Sequence, residues 1–205
     1  MDARKSGPLK RRLFLVGKKL YLRPLESHDL KGSYLDWLND YAVTRYLEVG
    51  IFPTTKEALA QYLEAVAKHP MNVMLAIVDR ATDRHIGNIK LGPVNLIHRH
   101  AELGILIGEK AFWGRGYARE AIDLVLDYGF SRLNLHKIQL GVHADHAEAI
   151  QLYERLGFTR EGLLRQHLFR DGTYRDKALY GLLREEHLAQ QGRSARAGAV
   201  QTVGR

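Results

Sequence analysis

The stretch GEKAFWGRGYAREAIDLVLDYGF, Gly108 to Phe130, decides how this chain is read. Its first half is a turn with alternating glycines, Gly114 and Gly116, and its second half has helical periodicity. Ile122, Val125, Leu126 and Phe130 recur at the spacing of one buried face, while Arg119, Glu120, Asp123 and Asp127 take the other. Upstream, Ala101 to Ile107 (AELGILI) is an apolar run of strand length, so the order is strand, glycine loop, helix. The first N–H groups of a helix have no partner within it and carry the positive end of its dipole, which suits them to a diphosphate. Glycines at the approach remove Cβ atoms that would hold phosphate oxygens away from the N–H groups of Arg115 to Arg119. Two other phosphate loops fit worse. Gly116-Tyr117-Ala118 is not the Gly-Lys-Ser/Thr of a P-loop, and a dinucleotide fingerprint would want glycine at Arg119 and an acidic residue near Leu135 to Lys137. Taken alone, the loop also fits a tight turn feeding a surface helix.

The whole stretch resembles the acyl-CoA-binding motif of the GNAT superfamily of N-acetyltransferases. That pattern, Gln/Arg-x-x-Gly-x-Gly/Ala, falls on Trp113-Gly114-Arg115-Gly116-Tyr117-Ala118, with Trp113 departing at the first position. A second landmark, AEAIQLYERLGF (Ala147 to Phe158), looks like the helix and glycine that carry the family's tyrosine. The resemblance spans about Lys19 to Leu183 and is nearest the branch of ribosomal-protein and nucleotide-amino-sugar acetyltransferases. It implies acetyl-CoA as the acyl donor, with Gly114, Arg115, Gly116, Tyr117, Ala118 and Arg119 holding its diphosphate.

With 205 residues the chain is read as a single domain, large enough to bury a core unaided. Cysteine is absent, which excludes a thiol nucleophile, a Cys-ligated zinc and an acyl-cysteine intermediate. No apolar run approaches the roughly 18 residues of a membrane span, and the start MDARKSGPLKRR has no signal-peptide core, so a cytoplasmic protein without membrane contact is expected. The net charge of +8 lies mostly at the ends. Arg4, Lys5, Lys10, Arg11 and Arg12 stand against Asp2 at one end, and Arg193, Arg196 and Arg205 at the other. The nearly neutral body gives no basic stripe for a specific nucleic acid. The expected organisation is a basic tail at 1–12, an acyltransferase domain at 13–188 and a basic tail at 189–205, as a monomer or homodimer.

Along the chain, Lys19 to Leu25 reads as the first strand. Ser27 reads as an N-cap for a helix through Leu30, Tyr34, Trp37 and Leu38, and Asn39 to Pro53 as irregular. A helix over Lys56 to Lys68, capped by Thr55, follows. Strands are expected at Asn72 to Asp79, His85 to Val94 and Ala101 to Ile107. After the central helix come a strand at Lys137 to His143, a helix at Ala147 to Leu156 stopped by Gly157, and two strands at Thr159 to Phe169 and Thr173 to Leu183 joined at Asp171-Gly172. The class is α/β, a mixed, mostly antiparallel central sheet flanked by helices.

Acetyl transfer from a thioester to an amine needs a free lone pair, a place for the oxyanion and a proton for the departing thiolate. An alkylamine of pKa near 10.4 is about 99.9% protonated at pH 7, a handicap of roughly 4 to 5 kcal/mol that a carboxylate can relieve. Glu102 is the first candidate, on the strand before the loop and opposite in face to Leu103; an ordinary edge carboxylate is the alternative. The resemblance gives Tyr153 the role of acid toward the CoA sulfur, its phenol being protonated at pH 7. It also assigns the backbone of Leu106 and Ile107 to the oxyanion and the pantetheine arm. His146 stands where the family commonly has Asn, so its contact with the arm is an expectation with an altered side chain. His143, Asp145 and His146 lack a metal-binding pattern, and no metal is expected. The acceptor is read as a small-molecule amine, foremost a nucleotide-linked amino sugar, met by Trp37, His98 and Arg99. The alternatives are a protein N-terminus, or a CoA-binding sensor without turnover.

Overall fold

The computed structural model describes residues 13–192. The expected tail at 1–12 and most of that at 189–205 lie outside the described residues. Eight strands form one sheet: β1 (Leu15–Val16), β2 (Leu20–Pro24), β3 (Val73–Asp79), β4 (His85–Leu91), β5 (His100–Ile107), β6 (Lys137–His143), β7 (Thr159–Arg170) and β8 (Thr173–Leu183). Their order is β1-β2-β3-β4-β5-β6-β8-β7, antiparallel throughout except where β5 meets β6.

The pleat sorts the side chains. Leu75 and Ile77 of β3, Ile89 and Leu91 of β4, and Leu103 of β5 enter the main core beneath the helix α4 (Tyr117–Ser131). Ala121, Ile122, Val125, Leu126 and Phe130 are the buried face of α4, and α5 (Ala147–Arg155) adds Ile150 and Leu152. On the opposite sheet face α1 (Tyr34–Asn39) and α3 (Lys56–Lys68) form a smaller core of Tyr34, Trp37, Leu38, Val43 and Leu59, against which Met74 and Leu106 pack. By alternation Asn88, Lys90, Glu102 and Gly104 share that second face.

Thr55 caps α3 by accepting from the Ala58 N–H at 3.1 Å, as its position implies. Asp171 and Gly172 both have positive φ, 51° and 74°, the geometry of a two-residue hairpin turn. Three boundaries differ from the sequence reading. The helix expected from Ser27 is a 3-10 turn (Ser27–Lys31) followed by the separate α1, and the N-cap is Glu26. Its cause is Asp29: Arg23 draws that carboxylate inward through two 2.7 Å bonds, while Asp29 also accepts from the Glu26 N–H. A helical turn, α2 (Tyr41–Thr44), interrupts the segment read as irregular, with Asp40 capping it. Finally, residues 184–192 are a helix, α6, whose last four residues fall within the segment read as a tail from 189. His187 on it is buried and bonded to Asp127 of α4 at 2.8 Å.

Candidate active site

β5 and β6 pair only from His100↔Lys137 to Glu102↔Gln139. Beyond Glu102 the two strands separate, so main chain from Leu103 to Ile107 faces a gap in the middle of the sheet. Gly87 helps shape it. A Cβ there would sit 2.2 Å from the Leu106 carbonyl oxygen, so only glycine lets β5 lean onto β4 at this level. Leu106 and Ile107 lie on the part of β5 that is not paired with β6.

The glycine loop leaves the same end of β5. Gly114 and Gly116 are left-handed, with φ of 68° and 82°, and Gly116 is the N-cap of α4. The N–H groups of Tyr117, Ala118 and Arg119 open the helix, and the first N–H returned to the loop is that of Glu120, to the Gly116 carbonyl at 3.1 Å. Several contacts brace this turn. The Trp113 indole donates to the Ile107 carbonyl at 2.7 Å, giving the departure from the family pattern a structural part. The Tyr117 hydroxyl donates to Asp79 at 2.7 Å, which raises the phenol pKa, and Lys19 Nζ donates to the Arg115 carbonyl at 2.8 Å. Arg119 faces Asp123 at 3.8 Å and is largely exposed. The loop thus presents a row of helix-opening amides on a rigid base, and cations of Lys19, Arg115 and Arg119 surround it.

Tyr153, on α5, packs edge-on to Phe158 with ring centroids 5.8 Å apart. Burial pushes its phenol up to about 12. The hydroxyl has no hydrogen-bond partner among the described residues and stays protonated throughout the physiological range. Glu102 is exposed, lies at the last paired position of β5, and shares the face of Gly104 and Leu106. His146 caps the start of α5 without a side-chain cap bond. Its ring instead stacks on Tyr46 at 3.8 Å and 8°, and burial lowers its pKa. Tyr46, absent from the sequence-based site, is the hub of this corner: Arg170 lies over it at 4.6 Å and His143 meets it edge-on at 5.5 Å. His143 has its pKa lowered, first by burial and then by Arg170. Among the described residues no cluster of His, Asp and Glu has metal-binding geometry.

A cavity of about 560 Å³ lies on the second face, between α1, α3, the segment after α2 and the strands β4 and β5. Gly104, Ile105 and Leu106 form its floor, and at Gly104 an added Cβ would meet open space. The cavity therefore opens onto the strand that borders the gap, on the face that carries Glu102.

The three residues expected to meet the acceptor are not brought together there. Trp37 is 5% exposed, packed edge-on to His85 at 5.0 Å, and fills the place where Gly108 lacks a side chain. His98 and Arg99 sit in the exposed turn before β5, at the opposite end of that strand from the glycine loop. Arg99 uses its backbone there, its carbonyl accepting from the His136 and Lys137 N–H groups. Asn88, Lys90, Glu48 and Tyr62, which do line the cavity, were missed. Period-two alternation along His85 to Leu91 marks Asn88 and Lys90 as face-mates, but nothing in the sequence says which face holds a cavity.

The family model described as an acetyltransferase (GNAT) domain matches residues 19–159. This chain belongs to the GNAT acetyltransferases. As a GNAT enzyme it is an N-acetyltransferase that uses acetyl-CoA. A spermidine N(1)-acetyltransferase of Escherichia coli K12 is 34% identical over 178 residues, 82% of this chain and 88% of the relative. That of Vibrio cholerae is 34% identical over 175 residues, 84% and 98% of the two chains. The Vibrio cholerae spermidine N-acetyltransferase structure, in complex with CoA and spermine, superposes with a TM-score of 0.76 at 32% identity, covering 83% of this chain and 98% of that one. The mixed, mostly antiparallel sheet flanked by helices is thus the GNAT fold. Among the described residues no helix is long and apolar enough to cross a membrane.

Proposed function

We propose that this GNAT enzyme transfers the acetyl group of acetyl-CoA directly to the primary amine of a small molecule held in the 560 Å³ cavity. The observation that carries this reading is the meeting of two spaces at Gly104 to Leu106: the gap between β5 and β6, and the cavity beneath α1 and α3. The amine's lone pair attacks the thioester carbon, the N–C bond forms and the C–S bond breaks. Glu102 accepts the proton the ammonium loses before attack, directly or through water; the Tyr153 hydroxyl donates to the departing thiolate and is reprotonated by the second proton the nitrogen sheds as it becomes an amide. Amides of Tyr117 to Arg119 bind the diphosphate, with Gly114, Arg115 and Gly116 shaping the approach. Main chain at Leu106 and Ile107 stabilises the oxyanion. His146, stacked on Tyr46, borders the pantetheine arm with a ring where an amide is usual.

Names of the relatives support a small alkylamine such as spermidine over the nucleotide-linked amino sugar expected from the sequence. The placement of His98 and Arg99 at the far end of β5 supports the same revision. The test is release of CoA thiol from acetyl-CoA against a panel of amines, repeated with Glu102→Gln. Amine-dependent thiol release that falls at least tenfold in the variant at neutral pH, and recovers in part as pH rises toward the amine pKa, is expected. Saturable acetyl-CoA binding without amine-dependent thiol would instead make this chain a sensor.

A further inference from the structure

The cavity beneath α1 and α3 is mostly apolar. Its walls include Tyr34, Phe52, Leu59, Tyr62, Met74 and Leu106, and its charged lining residues are two, Glu48 and Lys90. Tyr34 and Leu59 are buried in this wall, while Tyr62 and Phe52 are exposed at its rim. Among the described residues Lys90 Nζ has no ion pair or hydrogen-bond partner.

Two positions before Lys90, on the same face of β4, Asn88 is 4% exposed and its Nδ2 has no partner. The orientation of this amide is fixed from behind. His85 Nε2 lies 2.9 Å from both the Gly87 carbonyl and Asn88 Oδ1, and a carbonyl can only accept, so Nε2 carries the proton and the Asn88 atom facing it is oxygen. Asp29 stands 3.4 Å from the other imidazole nitrogen and is itself held by Arg23. The chain Arg23, Asp29, His85, Asn88 therefore ends with an N–H donor on the cavity side. Buried donors are satisfied in nearly all native structures. One buried, unpartnered donor, with the partly exposed Lys90 ammonium two positions along the same strand face, calls for an oxygen-bearing ligand.

Register says where that oxygen lies relative to the reacting amine. Asn88 is directly opposite Leu106, and Lys90 opposite Gly104. One strand spacing, about 4.8 Å, separates the donors from the strand along which the acetyl group is delivered. A carbonyl one or two bonds from the amine spans that distance. We propose that the acceptor is a primary amine adjacent to a carbonyl or carboxylate and carrying an apolar side chain, with the oxygen taken by Asn88 Nδ2 and Lys90 and the side chain by the aromatic wall. Such a unit occurs in free apolar amino acids and at peptide N-termini. A bare polyamine suits the cavity less, because it has no oxygen to offer Asn88 Nδ2 and its further cations would lie beside Lys90. This inference rests on the acetyl-transfer reading above.

The experiment is steady-state thiol release by the full chain with acetyl-CoA and five acceptors: phenylalanine, phenylalanine amide, a tripeptide beginning with phenylalanine, phenethylamine and spermidine. Expected is a kcat/KM for at least one carbonyl-bearing acceptor that exceeds those of phenethylamine and spermidine by tenfold or more. Preference for phenylalanine marks a free amino acid as the source, and preference for the tripeptide a peptide N-terminus. Lys90→Met is expected to remove at least tenfold of the phenylalanine to phenethylamine ratio, and Asn88→Leu to do the same for the amide. Spermidine as the best acceptor, or ratios unmoved in both variants, would overturn the inference while leaving acetyl transfer standing. Failure of every amine despite acetyl-CoA binding would overturn the acetyl-transfer reading, and this inference with it.

Discussion

The two sides of the active-site sheet are built from different material. On the donor side the working parts are backbone: left-handed glycines at 114 and 116, the first amides of α4, and main chain left free where β5 leaves β6. On the acceptor side they are side chains from six separate segments, gathered beneath α1 and α3 around a 560 Å³ space. A backbone device tolerates little change, since its function is its φ/ψ geometry, whereas a side-chain pocket can be rewritten one residue at a time without disturbing the fold.

If the backbone account of the donor side is right, the most damaging change is Gly116→Glu. It places a side chain on a residue at φ 82°, a strain of about 1 to 2 kcal/mol. It also puts a carboxylate where the diphosphate must dock. Acetyl-CoA affinity should fall by roughly two orders of magnitude or more, measured by calorimetry, with the fold intact by circular dichroism. Wild-type affinity in this variant would remove the loop from its role.

Next in size is Tyr153→Phe, which deletes one hydroxyl beside Phe158 and leaves the packing in place. A loss of about 100-fold in kcat is expected, within the usual range for a general acid. KM for acetyl-CoA should stay within a few-fold. Because burial holds the phenol up to about 12, the wild-type rate should show no loss of this acid between pH 7 and 9. An unaltered kcat would mean that the thiolate finds its proton elsewhere.

The same contrast explains what the sequence disclosed. Helix periodicity over Tyr117 to Phe130, the Asp171-Gly172 turn and the Thr55 cap are local patterns, and each stands in the structure where local physics places it. The strand-loop-helix unit was legible for the same reason. Trp37, His98 and Arg99 were chosen by residue type alone. Trp37 lies in the small core, and the other two sit in the turn before β5, at the end away from the glycine loop. Tyr46 meets His146 across 100 positions, Asn88 meets Leu106 across the sheet, and residues 184–192 are helical through contacts with Asp127. None of these leaves a mark in a short window.

Where the two sides touch, they can be pried apart. Gly108 follows β5, and a Cβ there would stand 2.0 Å from the Trp37 indole, the centre of the acceptor-side core. Gly108→Ala should cost about 1 to 3 kcal/mol of stability through overpacking, read as a lowered denaturation midpoint at unchanged slope. Pairing it with Trp37→Phe should recover part of the loss, because the two changes share one contact. Additive losses would show that Gly108 and Trp37 do not form the joint between the sides.

The smallest expected effect lies in the buried chain that supports the acceptor side. His85 packs under Trp37 and Tyr34 with Asp29 and Arg23 behind it, and burial lowers its pKa more than Asp29 raises it. In the unfolded chain the same imidazole titrates near 6.5. As pH falls below that value the unfolded state takes up a proton that the folded state refuses, so stability present above about pH 6.5 is lost on acidification. Each such histidine contributes at most about 1.4 kcal/mol per pH unit. His143 and His146 are lowered in the same direction and add to the slope. Asp29, lowered chiefly by its bond to Arg23 against the opposing effect of burial, acts in a separate window at and below the carboxylate range near pH 4. Thermal unfolding between pH 8 and 5 should therefore show a flat region above 6.5 and a decline beneath it. His85→Gln keeps a donor for the Gly87 carbonyl and Asn88 Oδ1 but cannot titrate, so its curve should decline less steeply over that interval. Identical slopes would place the titration of His85 outside the folding equilibrium.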